Sequence, residues 1–160
     1  MAGRGPGSGP AKPVAGAHIL IIEARFYTSI ADEMAAGAIA EIEANGSTFE
    51  RITVPGALEI PQVLVAAIDA NYEFDGVVAL GCVIRGETSH YDIVCNNANH
   101  WLMQLAVENG IPLGNAILTV DTREQAMDRA KGGETGKGGD AARACLRLIE
   151  IRQQLAEGAA

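Results

Sequence analysis

The residue types best able to do chemistry gather in one short stretch, Arg85-Gly86-Glu87-Thr88-Ser89-His90. It offers in succession a guanidinium, a carboxylate, hydroxyls and an imidazole. An imidazole with an ordinary pKa of roughly 6.5 exchanges protons readily near neutrality, so His90 is a candidate general acid or base. A glycine-bounded loop can also turn several backbone N–H groups toward one point, as an anion requires. Further candidates lie elsewhere: Phe26, Glu59 within Val54-Pro55-Gly56-Ala57-Leu58-Glu59-Ile60-Pro61, Arg129 and Lys137. A carboxylate, an aromatic plate, a nest of loop N–H groups with a histidine, and helix N-termini compose a site for a polar ring compound bearing a phosphate.

Each candidate also has a purely structural reading. His90 could simply cap a helix, and Glu59 could be a first-turn carboxylate favoured by the helix dipole. Phe26 could be a core ring, Trp101 a packing or interface residue, and Arg129 a solvated charge on an amphipathic helix. Lys137 lies in a Gly-rich loop and alone means little. Placement decides between these readings, and placement depends on the elements that carry the residues.

The reactive loop follows an unbroken apolar run from Gly76, the pattern of a strand buried on both faces of a parallel sheet. A first apolar run over 19–23 predicts another central strand. The helix after it, capped at Thr28 or Ser29, presents Ile30, Met34, Ala38 and Ile42 on one face and stops at Asn45-Gly46. Residues 48–54 alternate partly polar side chains, as an edge strand does. Pro55-Gly56 breaks that strand, and Pro61 opens a helix with Val63, Leu64, Ala67 and Ile68 inward. A long helix over 91–109 carries the stripe Tyr91, Val94, Cys95, Ala98, Leu102, Leu105 and Ala106 and ends at Gly110. A last strand over 115–120 leads to a helix capped by Asp121 or Thr122, with Glu124 or Gln125 placed for a capping box. A Gly-rich connection over 131–139 precedes a final helix ending near Leu155. That helix is apolar on more than one side, which predicts packing on a second subunit. Strict alternation of strand and helix predicts a flavodoxin-like three-layer α/β sandwich, a four-stranded parallel sheet with helices on both faces. Apolar first and third strands in the centre, with the second at an edge, give the order 2-1-3-4. The carboxyl ends of its strands share one rim, where open α/β sheets bind ligands.

Composition narrows the function classes. A chain of 160 residues predicts one domain, here over 17–160, behind a flexible Gly/Pro-rich arm over 1–16. A net charge of −8 with scattered basic residues argues against nucleic-acid binding. No apolar run approaches the ~20 residues of a membrane span. Without a secretory signal pattern, a cytoplasmic protein is expected. Cys82, Cys95 and Cys145 lack metal or redox spacing and read as reduced core thiols.

Two nucleotide motifs fail on inspection. The run Gly132-Gly133-Glu134-Thr135-Gly136-Lys137-Gly138 suggests a phosphate loop, but Gly138 follows the lysine where Ser or Thr is needed, and the run follows a helix rather than a strand. No GxGxxG follows the first strand.

Three stretches together resemble the lumazine synthase family: Val54 to Pro61, then Ala79-Leu80-Gly81-Cys82-Val83-Ile84-Arg85-Gly86-Glu87-Thr88-Ser89-His90-Tyr91-Asp92, then Glu124-Gln125-Ala126 followed by Arg129. The similarity extends from about residue 19 to 155. It implies a cofactor-free condensation of 5-amino-6-(D-ribitylamino)uracil with 3,4-dihydroxy-2-butanone 4-phosphate. The products are 6,7-dimethyl-8-ribityllumazine, phosphate and water, in the penultimate step of riboflavin synthesis. Imine formation, phosphate elimination and ring closure need proton transfers and positioning rather than a metal.

By motif position the resemblance makes His90 the proton-transfer residue and gives the phosphate to Arg129 and the N–H groups of Gly86, Glu87 and Thr88. Phe26 would stack on the pyrimidine, Val83 and Ile84 would flank it, and Glu59 would hold ribityl hydroxyls beside Gly56, Ala57 and Leu58. Asn115 and Lys137 would come from a neighbouring subunit. Asn115 stands where many relatives carry an aromatic, and Tyr27 where asparagine is common. The resemblance further implies a homopentamer or a larger shell, with riboflavin synthase as a candidate partner. The competing classes are a shell protein that holds flavin without turnover, which intact His90 and Arg129 argue against, and a flavodoxin-like electron carrier, which would need a phosphate loop after the first strand.

Overall fold

The computed structural model describes residues 14, 16–131 and 136–158. Nine regular elements are labelled here: β1 His18–Ala24, α1 Thr28–Ala44, β2 Thr48–Val54, α2 Ile60–Asp69, β3 Gly76–Ile84, α3 His90–Asn109, β4 Leu113–Val120, α4 Arg123–Ala130 and α5 Lys137–Gly158. A short 3₁₀ turn, Ala57–Glu59, leads into α2. The four strands are parallel in the order β2-β1-β3-β4, the flavodoxin-like arrangement expected from strict alternation and from the apolar patterns of the strands.

Side chains of a strand point alternately to opposite faces, and here both faces are covered. Ile19, Ile21, Val78 and Leu80 pack with α1, α4 and α5, while Leu20, Ile22, Val77 and Ala79 pack with α2 and α3. β2 lies at an edge and keeps its mixed polarity. The sheet edge opposite the strand starts is uneven. β1 pairs with β3 only as far as Glu23↔Leu80, while β3 runs on beside β4 to Ile84↔Val120. The overhang leaves room above the end of β1, where the strand order reverses.

Several boundaries differ from expectation, for physical reasons. The cap of α1 is Tyr27, which makes no side-chain cap bond, while Ser29 Oγ accepts from Arg123 at 2.6 Å. Gly46 takes the left-handed stop with φ +79. In α2, Ile60, Pro61 and Leu64 are buried, whereas Val63, Ala67 and Ile68 are only partly covered. Thr122 rather than Asp121 caps α4, accepting from Gln125 N at 3.1 Å. Gln125 Oε1 in turn accepts from Asp121 N at 2.8 Å.

The largest correction concerns the glycine-rich connection. Residues 132–135 fall outside the described part, but Gly138 and Gly139 belong to the first turn of α5 rather than to a loop. A Cβ at Gly138 would overlap the Met34 carbonyl of α1, so these glycines serve close helix crossing instead of helix breaking. Gly114 plays the same part between β4 and α5, where a Cβ would overlap the Ala141 carbonyl.

The arm expected over 1–16 lies almost wholly outside the described residues. Val14, within them, is buried, and its N–H donates to Asn45 Oδ1 at 3.2 Å. α5 continues past Leu155 to Gly158 and leaves Leu148 and Leu155 exposed. On α3, Ile93, Trp101, Met103 and Val107 are likewise exposed. No described helix is long and apolar enough to cross a membrane. Among the thiols, Cys95 and Cys145 are buried, and Cys82 is half-buried, packed against the core at its edge.

Candidate active site

A cavity of about 400 Å³ fills the space above the end of β1. Its walls come from the links that leave β1, β2 and β3. Phe26 and Tyr27 form the first wall; their rings meet edge-on, with centroids 4.9 Å apart and planes at 70°. Phe26 is 71% exposed, so it stands in the opening rather than in the core.

The second wall is Pro55 to Glu59. Proline and glycine end β2 and turn the chain into the 3₁₀ turn ahead of α2. Glu59 Oε2 accepts from Gly56 N at 3.0 Å, and Glu59 N donates back to Gly56 O at 3.2 Å. Glu59 is therefore a capping carboxylate, as its structural reading holds, and the same bond fixes it at the cavity edge. An ionised carboxylate retains further lone pairs that can accept from a ligand.

The third wall is the overhanging end of β3 and the loop after it. Cys82, Val83 and Ile84 lie along the strand, followed by Gly86, Thr88, His90, Tyr91 and Val94. His90 opens α3, with its N–H donating to Thr88 Oγ1 at 3.3 Å, and it is an exposed residue that lines the cavity. Glu87 lies in the same loop, exposed and outside the cavity lining.

Arg85 braces this loop. Its Nε donates to Asp121 Oδ1 at 3.0 Å, an N–O pair to Asp92 spans 3.8 Å, and its guanidinium lies 4.1 Å from the centre of the Tyr91 ring. Arg85 N also donates to Val120 O at 2.9 Å, so the loop is tied to the end of β4. The Asp121 hydrogen bond holds the Arg85 pKa above its ordinary value. Burial pushes the Cys82 thiol up to about 11, which keeps it protonated and poorly nucleophilic at neutral pH. Burial also raises the Tyr91 hydroxyl, partly offset by its bond to Thr119.

Three of the expected site residues stand elsewhere. Asn115, Arg129 and Lys137 line a separate depression of about 420 Å³ between β4, α4 and α5. There Arg129 NH1 donates to Gln125 O at 3.0 Å, and Lys137 Nζ pairs with Asp140 Oδ2 at 3.1 Å. Asn115 Nδ2 donates to Asn99 Oδ1 at 2.7 Å. Among the described residues, no arginine or lysine lines the cavity that holds His90.

Sequence reasoning missed Cys82 and Tyr91 as cavity residues, although both flank assigned positions. It also passed over Glu23. This carboxylate in the apolar β1 is fully buried, and it accepts from Arg51 at 2.7 and 2.9 Å and from Arg25 at 2.7 Å. A lone acid inside an otherwise apolar strand was the available signal.

The fold and cavity define a class: a flavodoxin-like α/β protein with a cavity at the carboxyl rim of its sheet, where an imidazole, a carboxylate and an aromatic ring surround one opening. The particular family follows from comparison. A model of 6,7-dimethyl-8-ribityllumazine synthase matches residues 16–153. A protein of that name from Rhodopseudomonas palustris strain BisA53 is 54% identical over 149 residues, covering 91% of each chain. 6,7-Dimethyl-8-ribityllumazine synthase 1 of Rhizobium meliloti is 53% identical, over 90% of this chain and 95% of its own. The Methylobacterium radiotolerans protein is 52% identical, over 91% and 88%. The chain belongs to the 6,7-dimethyl-8-ribityllumazine synthase family.

Proposed function

We propose that the rim cavity is the seat of the reaction for which the family is named. The chain is an enzyme that condenses 5-amino-6-(D-ribitylamino)uracil with 3,4-dihydroxy-2-butanone 4-phosphate to 6,7-dimethyl-8-ribityllumazine, with release of phosphate. The observation that carries the residue assignment is the convergence of Phe26, Glu59, Gly86, Thr88 and His90 on one opening.

The pyrimidine stacks on Phe26, with the main chain of Val83 and Ile84 along its edge. The ribityl hydroxyls reach Glu59 and the wall of Gly56, Ala57 and Leu58. The phosphate lies on the N–H groups of Gly86, Glu87 and Thr88, next to the start of α3, where the helix dipole favours an anion. His90 moves protons during imine formation, phosphate elimination and ring closure, all of which demand acid and base in turn. Holding both substrates in one orientation supplies much of the remaining acceleration.

A phosphate substrate calls for a cation, and none lines this cavity among the described residues. We assign that role to Arg129 and Lys137, which come with Asn115 from the depression of a neighbouring subunit. The exposed apolar residues of α3 and α5 are suited to bury against that neighbour. A head-to-tail contact closes into a ring when its rotation divides a full turn, and we assign a ring of five. A cytoplasmic location and a contact with riboflavin synthase belong to the same reading.

Mixing the protein with both substrates tests it. The lumazine chromophore should appear faster than in the spontaneous reaction, and no acceleration would overturn the assignment. Mass photometry should read five subunits or a multiple of five; a monomer would sink the shared site.

A further inference from the structure

Phe26 has little packing of its own. It is 71% exposed and touches Tyr27 edge-on, yet a stacking ring must hold one plane. The residue before it, Arg25, is fixed from three sides. Its N–H donates to Val54 O at 3.0 Å, tying the link to the end of β2. Its guanidinium reaches down to Glu23 on β1 at 2.7 Å and across to Asp32 on α1. Glu23 is in turn gripped by Arg51 of β2 through both oxygens, at 2.7 and 2.9 Å.

We infer that the network of Glu23, Arg25, Asp32 and Arg51 is a positioning device for Phe26, setting the ring at the angle on which the pyrimidine stacks. The inference rests on the assignment of Phe26 as the stacking ring.

Stability alone is a poor account of the network. Buried ion pairs are commonly replaceable by apolar residues without loss of stability. The neighbours of Glu23 on β1, Leu20, Ile21 and Ile22, are all apolar and fully buried, so one more would continue the pattern. What an apolar residue could not do is hold Arg25 by a directed fork. A guanidinium that bridges two carboxylates orients the backbone it belongs to, and Phe26 is next in the chain.

The test is a double-mutant cycle read as binding of 5-amino-6-(D-ribitylamino)uracil alone, with the butanone phosphate omitted. Glu23→Gln should weaken binding about fivefold, in the range expected for residues that share one network. In a Phe26→Ala background the same change should cost less than about twofold, because the ring it positions is gone. In steady state, Glu23→Gln should raise KM for the pyrimidine and leave KM for the butanone phosphate unchanged. An equal loss in both backgrounds, or on both substrates, would overturn the inference. Should Glu23→Gln not fold, Arg25→Lys keeps the charge but cannot bridge both carboxylates, and the same pattern is expected of it. A wild type that binds the pyrimidine without turnover sinks the proposed reaction and leaves this cycle to decide the positioning role. A wild type that does not bind it sinks both.

Discussion

The two depressions of this molecule are of nearly equal volume, about 400 and 420 Å³, and of opposite character. The rim cavity offers a ring, a carboxylate, backbone and one imidazole, and among the described residues no arginine or lysine lines it. The edge depression holds Arg129 and Lys137, occupied for now by Gln125 and Asp140. One is lined without a basic side chain among the described residues, and the other carries two. The two share no lining residue, and under the proposed function a complete site joins the rim of one copy to the edge of a second. A sequence motif that unites them says nothing about which subunit supplies each part.

The sharpest way to break the comparison is to disturb the scaffold beneath the edge depression. Gly114→Val would force a side chain into the Ala141 carbonyl and lift α5 from β4. A loss of about 3 kcal/mol is expected from such overpacking, read as a lower denaturation midpoint. An unshifted midpoint would mean that α5 is not held as described.

His90→Ala addresses the rim. It should slow turnover about a hundredfold, roughly 2.7 kcal/mol of barrier, while pyrimidine binding is spared. A comparable loss of pyrimidine affinity would make His90 a binding residue instead.

Arg129→Ala addresses the edge and should raise KM for the butanone phosphate about tenfold, the loss of one charge-assisted contact. The two variants sharpen the comparison when refolded together. If sites are shared between subunits, an equal mixture assayed with butanone phosphate well below KM should recover roughly a quarter of wild-type activity, since that fraction of neighbouring pairs joins two intact halves. If each chain holds a whole site, every site keeps one defect and the mixture does no better than the mean of the two variants assayed apart.

The smallest effect concerns pH. Burial alone would raise the Glu23 carboxyl, but the hydrogen bonds and charges of Arg51 and Arg25 together outweigh it and hold the group below its ordinary 4.5. A depressed carboxylate contributes stability that is complete above the ordinary value and lost as pH falls through the lower folded one. The gap in unfolding free energy between wild type and Glu23→Gln should therefore narrow from about pH 5 downward. It should be measured at fixed subunit concentration. A gap that widens on acidification would reverse the sign of the argument.

Much of the fold was legible because strand and helix leave different periods. The buried β1 and β3, the edge strand β2, the order 2-1-3-4 and the stops at Gly46 and Gly110 follow from local pattern. Glycines were the weak point. Gly138 and Gly139 read as a breaker by local propensity, yet both lie in a helix, and at Gly138 a neighbouring backbone passes too close for a side chain. Only a contact distant in sequence carries that information. At the site, the loop from Gly86 to His90 and the turn at Glu59 were legible as motifs. The partners of Glu23 were not, since Arg51 reads equally well as a solvated charge on an edge strand.

By itself, then, the sequence determined the alternation of elements, the reactive loop after β3 and the family, because hydrophobic period, turn residues and motif spacing are local properties of the chain. The tertiary structure decided the rest. It gathered the ends of three strands around one opening, buried Glu23 between two arginines, and set Arg129 apart from His90. Those outcomes depend on how far β3 overhangs β1 and how closely α5 can approach α1 and β4. Such distances are set by packing across the whole sheet.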